Sequence, residues 1–453
     1  MPETQSATEA DYPSSRYAWY VVSILTLTYT ISFIDRQIMA LMIEPIRHDL
    51  NITDTQVSLL IGLAFAVFYT LLGVPIGRLA DRHSRRGIIA LGIVIWCFMT
   101  AACGLARNYT QLFLARIGVG VGEAALSPSA LSMIGDYFPK RTRVRAIAVY
   151  NMGISLGTGL AMILGGQIIA HVMAAPPISL PIVGELYAWQ SVFLIVGLPG
   201  LLMALAMATV REPHRKERLQ LDNGAGTHLP FAAAVQFLRE RWRMYGSHFL
   251  GMSTVAILAY GLFAWIPTMF IRTWNWTIGE IGLAYGSVVL LAGPLSAWGA
   301  SWLCERMAAR GREDAQMRAA LYFIVMGAIA GCATALAPSP WIAIATLLPA
   351  SIGTTAATAC GLSALITATP NQMRAQASAM YYLVVNVFGL TVGPTGIALF
   401  TDYVFRDTLA LRYSIACVCV LAGVLAFMLL SYNLRHFRRA LTESTVWASA
   451  DPA

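Results

Sequence analysis

Charged residues are scarce in this chain. Only 12% of its 453 residues are aspartate, glutamate, lysine or arginine and 57% are hydrophobic, whereas soluble domains carry about 25% charged residues. The sequence also lacks a GxxxxGK[ST] phosphate-binding loop and any cluster of metal ligands. We therefore expect a polytopic membrane protein that is not an enzyme and needs no metal or organic cofactor.

The cysteines and the net charge argue against two further classes of protein. Each of the seven cysteines lies in an apolar segment, where a thiol acts as a small hydrophobic group rather than as half of a disulfide. The net charge of +8 comes from basic residues in short loops beside apolar runs. Membrane topology explains this distribution better than nucleic-acid binding does, so we expect no nucleic-acid partner.

Apolar runs recur along the whole chain, each near the ~20 residues that cross the hydrocarbon core of a bilayer. They predict an all-α membrane protein with twelve transmembrane helices. The predicted helices are 17–43, 55–79, 87–106, 109–134, 145–170, 186–210, 246–271, 279–304, 316–336, 340–367, 376–401 and 411–434.

The basic residues predict the orientation. With the N-terminus in the cytoplasm, 24 of the 31 lysines and arginines fall on the inner side and five on the outer side, while Arg36 and Arg116 lie in the membrane. The positive-inside rule then predicts that both termini are cytoplasmic, in a plasma membrane or a bacterial inner membrane.

The sequence contains an internal repeat. "NITDTQVS" at 51–58 aligns with "NWTIGEIG" at 275–282, and "PKRTRVRAIAVY" at 139–150 aligns with "PNQMRAQASAMY" at 370–381. Two copies of one unit predict two pseudo-symmetric six-helix bundles. The predicted division is a cytoplasmic tail 1–16, a first bundle 17–212, a cytoplasmic linker 213–245, a second bundle 246–436 and a cytoplasmic tail 437–453.

Three Asn-x-Thr triplets begin at Asn51, Asn108 and Asn275, each before a predicted helix on the outer side. Such triplets are glycan acceptors in a secretory-pathway host. We favour the alternative that the three asparagines cap helix N-termini.

Two six-helix halves joined by a cytoplasmic linker are the architecture of the major facilitator transporters. "GRLADRHSRR" at 77–86 resembles the loop signature of that superfamily between helices two and three, with Ser84 in place of the usual glycine. Within the superfamily, "FIDRQ" at 33–37, "RIGVGVGEA" at 116–124 and "GTGLAMILGG" at 157–166 together resemble the Spinster family of lipid-type transporters. This resemblance implies transport of lysophospholipids, sphingosine phosphates or similar amphiphiles by alternating access, with proton coupling.

Four charged residues lie deep within predicted spans: Asp35 and Arg36 on the first, and Arg116 and Glu123 on the fourth. Each charge costs about 2.5–3.5 kcal/mol on insertion scales, so it needs a reason. The i, i+7 spacing puts Arg116 and Glu123 on one helix face, and the matched depth of Asp35 and Arg116 predicts an ion pair. The alternative is that these charges only hold two helices together. We predict that they bind cargo and carry a coupling proton, taken up by Glu123.

Arg36 follows Asp35 and points about 100° away on the helix, so it cannot share the contacts of Asp35. It either meets a second carboxylate or extends towards the lipid headgroups at the outer interface. Together with Ser127, it is a candidate residue of the cargo cavity.

The loop after the second helix is predicted to act as a conformational switch. Gly77 is expected to allow close helix approach. Asp81 is expected to face the N-terminal end of helix eleven in one state, because the helix dipole favours an anion there. Arg82, Arg85 and Arg86 either belong to this switch or only anchor the cytoplasmic side.

In the second half, the predicted spans contain no charged residue away from their ends. A cavity with charges on one wall and aromatic or hydroxyl groups on the other suits an amphiphile with a polar head and an apolar tail. Simple packing remains the alternative for each polar residue there. The candidates are Tyr260, Tyr285, Thr354, Thr355, Thr358 and Asn386.

These features predict a monomeric, proton-coupled secondary active transporter, surrounded by membrane lipids, for lysolipids, sphingolipid phosphates or similar amphiphilic organic anions. One alternative keeps the fold but moves drugs or small organic acids. A hydrophilic cargo should find charged or amide ligands in both halves, and the second half has few. The other alternative is a receptor or scaffold that does not transport, which would have no need of the charged residues within the membrane.

Overall fold

The structure, a computed structural model, describes residues 12–80, 82–176, 178–180, 184–215, 231–370 and 373–449. Within these ranges, twelve helical stretches are long and apolar enough to cross a membrane. The predicted all-α architecture with twelve transmembrane helices is confirmed.

The helices of the described ranges are α1 Ser15–Gln37, α2 Ile43–Leu50, α3 Asp54–Ile61, α4 Leu63–Ala80, α5 Arg85–Leu105, α6 Tyr109–Glu123, α7 Leu126–Tyr137, α8 Lys140–Ala174, α9 Ala188–Gly197, α10 Gly200–Thr209, α11 Phe231–Glu240, α12 Trp242–Trp274, α13 Ile278–Ala308, α14 Ala315–Ala335, α15 Pro340–Ala368, α16 Arg374–Leu399 and α17 Leu411–Ser449. Short 3₁₀ or π segments occupy Ile38–Leu41, Phe400–Phe405 and Thr408–Ala410. The two-residue strands β1 Ser179–Leu180 and β2 Gly184–Glu185 pair antiparallel.

Three predicted single helices each consist of two helices. The span predicted at 55–79 contains α3 and α4, that at 186–210 contains α9 and α10, and that at 109–134 contains α6 and α7. The break between α6 and α7 follows directly after Glu123. A buried carboxylate therefore sits at a short irregularity in a helical span.

The described residues form two compact units. The first unit lies within 1–52 and 64–224, and its α1 packs on α8 and its α5 on α6. The second lies within 53–63 and 225–453, where α12 packs on α16 and α17, and α14 on α15. Helix α3 packs on α16 and so belongs to the second unit, although the sequence division at 212 puts it in the first bundle.

The aligned segments of the repeat share their local backbone. Asn51 and Asn275 end α2 and α12 in the left-handed conformation, with φ of 49° and 54°. Two residues later, Thr53 and Thr277 cap the N-termini of α3 and α13 with capping boxes. The predicted N-cap is confirmed only for Asn108, whose side chain accepts a hydrogen bond from the first turn of α6. It is wrong for Asn51 and Asn275, because the neighbouring threonines take that role.

The second pair of aligned segments shares a side-chain contact as well. The Nε of Arg143 donates to the carbonyl of Phe138 at 3.3 Å. The Nε of Arg374 donates to the carbonyl of Thr369 at 3.0 Å, five residues earlier in both cases. The repeat in the sequence therefore includes the same arginine–carbonyl hydrogen bond near the starts of α8 and α16.

Glycines on α6 allow it to lie against neighbouring backbone. A Cβ on Gly120 would lie 2.7 Å from the carbonyl oxygen of Phe65 on α4, and one on Gly122 would lie 2.6 Å from the amide of Trp96 on α5. No side chain fits at such distances. The contacts bring the charged residues of α6 close to α4 and α5.

We predict that Gly120→Ala destabilises the protein and that Gly135→Ala does not. Alanine gains about 1 kcal/mol in helix propensity over glycine at either position. At Gly120 the clash with a backbone carbonyl outweighs this gain, since overpacking costs about 1–3 kcal/mol. At Gly135 an added Cβ meets no atom within 4 Å. Thermal unfolding in detergent should show a lower Tm for the first variant only, and equal Tm values would contradict the role of the close contact.

Candidate functional site

A buried ion pair joins α1 to the end of α6. The Nη2 and Nε of Arg36 donate to Oε2 of Glu123 at 2.5 and 3.2 Å. The side chain of Arg36 is 11% exposed and that of Glu123 is fully buried. Of the two contacts predicted for Arg36, the structure shows the one with a second carboxylate, which is Glu123. The predicted extension of Arg36 towards the headgroups is wrong.

The position of Glu123 explains why it needs these donors. A carboxylate buried within a membrane span is strongly unfavourable unless donors surround it. Arg36 supplies a full positive charge, and Ser32 donates a further hydrogen bond to the same Oε2 at 2.8 Å. The other oxygen, Oε1, is buried and has no hydrogen-bond partner among the described residues.

Three aromatic rings surround the guanidinium of Arg36. Its Cζ lies 4.6, 4.3 and 4.6 Å from the ring centroids of Phe33, Phe65 and Tyr69. Ring faces at these distances attract a cation. They hold the guanidinium in place and restrict the water that reaches the ion pair.

Asp35 has a different partner from the one predicted. It is 1% exposed, and its Oδ2 accepts a hydrogen bond from Thr100 on α5 at 2.5 Å. Its Oδ1 has no hydrogen-bond partner among the described residues. The structure forms no hydrogen-bonded Asp35–Arg116 pair, so that prediction is wrong for this conformation. Matched depth sets the height of two side chains in the membrane but not the direction in which each leaves its helix.

Arg116 is the most unusual group of the first unit. It is fully buried, yet none of its three guanidinium nitrogens has a hydrogen-bond partner within the described part of the chain. The ring of Phe65 lies beside it, 5.6 Å from Cζ to the centroid. A buried charge is strongly unfavourable without a partner, so this guanidinium is suited to receive an anion.

Ser127 lies next to a stack of tyrosines in the first unit. Its hydroxyl is 3.3 Å from that of Tyr150. The Tyr150 ring stacks on Tyr29 with centroids 4.6 Å apart and an interplanar angle of 3°, and Tyr29 packs edge-on against Phe33. A cluster of buried aromatic rings therefore extends from the surroundings of Arg36 to Ser127.

Arg85 of the predicted switch loop is a buried structural residue. It is 1% exposed and forms an ion pair with Asp136 at the end of α7. Its Nε also pairs with Oε1 of Glu212 at 2.9 Å, and its Nη1 donates to the hydroxyl of Ser132 at 3.0 Å. For Arg85 the alternative of a simple interface anchor is wrong, because its charge is used inside the first unit.

Glu212 accepts hydrogen bonds from residues at the start of α5. Its Oε2 accepts from the Arg86 amide and from the Ser84 hydroxyl, both at 2.9 Å. Burial alone would raise the pKa of Glu212, but these hydrogen bonds and that from Arg85 outweigh burial and hold the pKa below its usual value. The serine that replaces the usual glycine thus has a role as N-cap of α5 and as a donor to Glu212.

The predictions for Gly77, Asp81 and Arg82 of this loop have different outcomes. A Cβ on Gly77 would meet Pro128 at 3.7 Å, an ordinary contact, so the predicted close approach at this glycine is wrong. Arg82 is exposed. Asp81 lies outside the described residues, and its role as a switch stays a prediction.

The polar residues predicted in the second half divide into two groups. Tyr260 and Asn386 meet, with the tyrosine hydroxyl donating to Oδ1 at 3.4 Å. Thr358 donates to the backbone of its own helix, as does Thr354. The ring of Tyr285 is 3% exposed and packs beside Phe263. Hydrogen bonds within their own helix thus account for Thr354 and Thr358, and packing accounts for Tyr285. Thr355 is exposed.

Sequence reasoning missed a buried ion pair in the second unit. Arg272 at the end of α12 donates twice to Asp54 on α3, at 2.6 and 2.7 Å. Next to it, the amide and hydroxyl of Thr55 both donate to Asp402 at 2.7 Å. Asp54 has a fully buried side chain. The signal in the sequence is an acid and an arginine at the ends of apolar runs.

Within the described part of the chain, no group of three or more His, Cys, Asp or Glu side chains is arranged to hold a metal ion. The first-unit site is built from two arginines, two carboxylates and the aromatic rings around them.

Known proteins resemble this chain over most of its length. The family model described as Major Facilitator Superfamily matches residues 25–394. An MFS-type efflux pump of Mycolicibacterium smegmatis is 26% identical, covering 98% of this chain and 99% of that protein. A probable L-galactonate transporter of Escherichia coli is 26% identical over 57% of this chain and 56% of its own length.

A solved structure shares both sequence and fold. A bacterial homologue of the human lysosomal transporter Spinster, in an inward-facing and unoccupied conformation, is 27% identical, with a TM-score of 0.80. The match covers 95% of this chain and 99% of that protein. The resemblance to the Spinster family inferred from the sequence is confirmed.

We predict strong energetic coupling between Arg36 and Glu123. Removing one partner of a buried ion pair costs about 3–5 kcal/mol, because the other charge is left buried and unpaired. Arg36→Gln should therefore lower the Tm markedly, and the double variant Arg36→Gln/Glu123→Gln should recover much of the loss. Arg141→Gln is the control, because Arg141 is exposed. Additive effects of the two single changes in a double-mutant cycle would refute the coupling.

The pH dependence of stability should reveal Glu212. Because its pKa is lower in the folded protein than the ~4.3 of a free glutamate, its contribution is fully present above that value and is lost as pH falls through the folded pKa. Glu212→Gln should lower the Tm at pH 7, and the difference from wild type should shrink on acidification to about pH 3.5. Glu185→Gln, at an exposed position, is the control. A difference that does not change with pH would contradict this account.

Proposed function

The chain belongs to the Major Facilitator Superfamily, and on this premise we propose that it is a proton-coupled secondary active transporter of amphiphilic organic anions. It works by alternating access, in which one site opens to each side of the membrane in turn. The coupling ion is H⁺, the protein acts as a monomer without a cofactor, and both termini are cytoplasmic.

The observation that carries the proposal is the unpaired guanidinium of Arg116. All three of its nitrogens are buried and have no hydrogen-bond partner among the described residues. A carboxylate or phosphate matches the planar fork of a guanidinium and neutralises its charge. We therefore assign the anionic group of the cargo to Arg116.

Two nearby carboxylates offer a place for the coupling proton. Oδ1 of Asp35 and Oε1 of Glu123 are buried without hydrogen-bond partners among the described residues. A site that closes around an ionised carboxylate makes that form unfavourable, and protonation removes the cost. In the proposed cycle Glu123 takes a proton on Oε1, which weakens its attraction for Arg36, and releases the proton when the site meets water again.

The aromatic cluster favours an amphiphilic cargo. The rings of Phe33, Phe65 and Tyr69 surround Arg36, and the Tyr29–Tyr150 stack continues this cluster. Apolar lining with a few charged groups suits a molecule that has an anionic head and an apolar body. Lysolipids and sphingolipid phosphates are such molecules. The Spinster-like character of the chain also supports this class of cargo.

Small organic acids are the second candidate. Arg116 would bind a sugar-acid carboxylate by the same chemistry, and one relative is named as a probable L-galactonate transporter. The two candidates differ in the apolar body of the cargo, so changes in the aromatic cluster separate them. Phe65→Ala should impair flux of an amphiphile more than flux of a hexuronate.

We expect Glu123→Gln and Arg116→Ala to fail in different ways. Purified protein in liposomes is tested with lysophospholipids, sphingosine phosphate and hexuronates, with and without a pH gradient. Glu123→Gln, which mimics the protonated acid, should still bind cargo but lose the dependence of flux on the gradient. Arg116→Ala should weaken binding by about 10-fold or more, the effect of losing hydrogen bonds to a charged group.

Arg141→Ala is the matched control, because it removes an exposed arginine of the same unit. Full gradient-driven flux in Glu123→Gln would move the coupling role to Asp35, which Asp35→Asn then tests. Unchanged cargo binding in Arg116→Ala would refute the assignment of the anionic group. No flux of any tested anion by the wild type would contradict the proposed function itself.

A further inference from the structure

One buried aspartate of the second unit holds two arginines. Asp314, just before α14, is 3% exposed. Its Oδ1 accepts from Nε of Arg318 on α14 at 2.7 Å, and its Oδ2 accepts from Nε of Arg438 on α17 at 2.5 Å. Two guanidinium groups from different helices are thereby fixed beside each other.

The charges of this group do not cancel. Burial alone would raise the pKa of Asp314, but the hydrogen bonds from the two arginines outweigh burial and hold the pKa below its usual value. One negative charge therefore faces two positive ones. Since each arginine uses Nε towards Asp314, its guanidinium keeps further donors that Asp314 does not occupy.

An apolar groove starts at one of these arginines. It lies between α14 and α17 and has a volume of about 400 Å³. The residues from α14 follow an i, i+3, i+4, i+7 pattern, so they form one stripe about 10 Å long on the helix face. The lining residues are Arg318, Leu321, Tyr322, Val325, Phe427 and Ser431.

The groove is open to the surroundings of a membrane helix. Tyr322 and Phe427 are 57% and 48% exposed, and both lie in candidate membrane spans. A cationic group at one end and an apolar stripe running into the span match a phospholipid, whose phosphate sits at the interface and whose chains enter the hydrocarbon core.

We propose that this groove is a binding site for one anionic phospholipid, with its phosphate on Arg318 and Arg438 and an acyl chain along Leu321 and Val325. The positive-inside rule puts this end of the unit on the cytoplasmic side, where anionic lipids attract basic residues. The site uses only residues of the second unit and none of the charged residues assigned to cargo, so it does not depend on the proposed function.

The test measures lipid binding to the full-length protein. Purified protein is titrated with phosphatidylglycerol or phosphatidylcholine in detergent, and bound lipid is counted by native mass spectrometry. We expect phosphatidylglycerol to bind preferentially, and Arg318→Gln or Arg438→Gln to weaken that binding about fivefold each, the effect of one basic residue near a membrane surface. Arg310→Gln is the control, since Arg310 is an exposed arginine near the same end of the unit.

A second variant tests the groove without changing charge. Val325→Trp places a large ring in the groove at a position that is already 36% exposed, so the fold should tolerate it. It should weaken phosphatidylglycerol binding as the arginine variants do. Unchanged binding in Val325→Trp, an equal loss in Arg310→Gln, or no preference over phosphatidylcholine would overturn the proposal. Competition by inorganic phosphate at the concentration of the lipid would also overturn it, because the site would then recognise phosphate alone.

Discussion

The Arg36–Glu123 ion pair is the interaction on which the rest of the first unit depends. A bilayer offers no water to solvate a charge, so a charged side chain in a span needs a partner from another helix. For Glu123, Arg36 and Ser32 from α1 meet this demand. The pair thereby joins α1 to α6.

The packing of α6 makes that pair possible. Glycines at 120 and 122 bring α6 against the backbone of α4 and α5, which places the Phe65 ring between the neighbourhoods of Arg36 and Arg116. One guanidinium is then paired and enclosed by rings, while the other is buried with no hydrogen-bond partner among the described residues. This asymmetry between two arginines of one unit is what makes the site chemically suited to an anion and a proton.

Buried charges at the helix ends also need partners, and there they join helices to one another. Arg85 and Glu212 in the first unit, and Asp314 with its two arginines in the second, use charge to tie helices together. The repeat gives both halves of the sequence equivalent capping boxes, but the charges away from the ends of the spans belong to the first half alone. The two copies therefore share a backbone plan and differ in chemistry.

The sequence by itself determined the twelve spans, the repeat and the identity of the charged residues, because hydrophobic length and the cost of burying charge are local properties that a single chain displays. Only the tertiary structure decided the partners. It paired Glu123 with Arg36 rather than Asp35 with Arg116, and Asp54 with Arg272 across more than 200 residues. It also broke the fourth span after Glu123. Depth along a helix can be read from residue spacing, but the direction of a side chain and the helix that faces it follow from packing between helices.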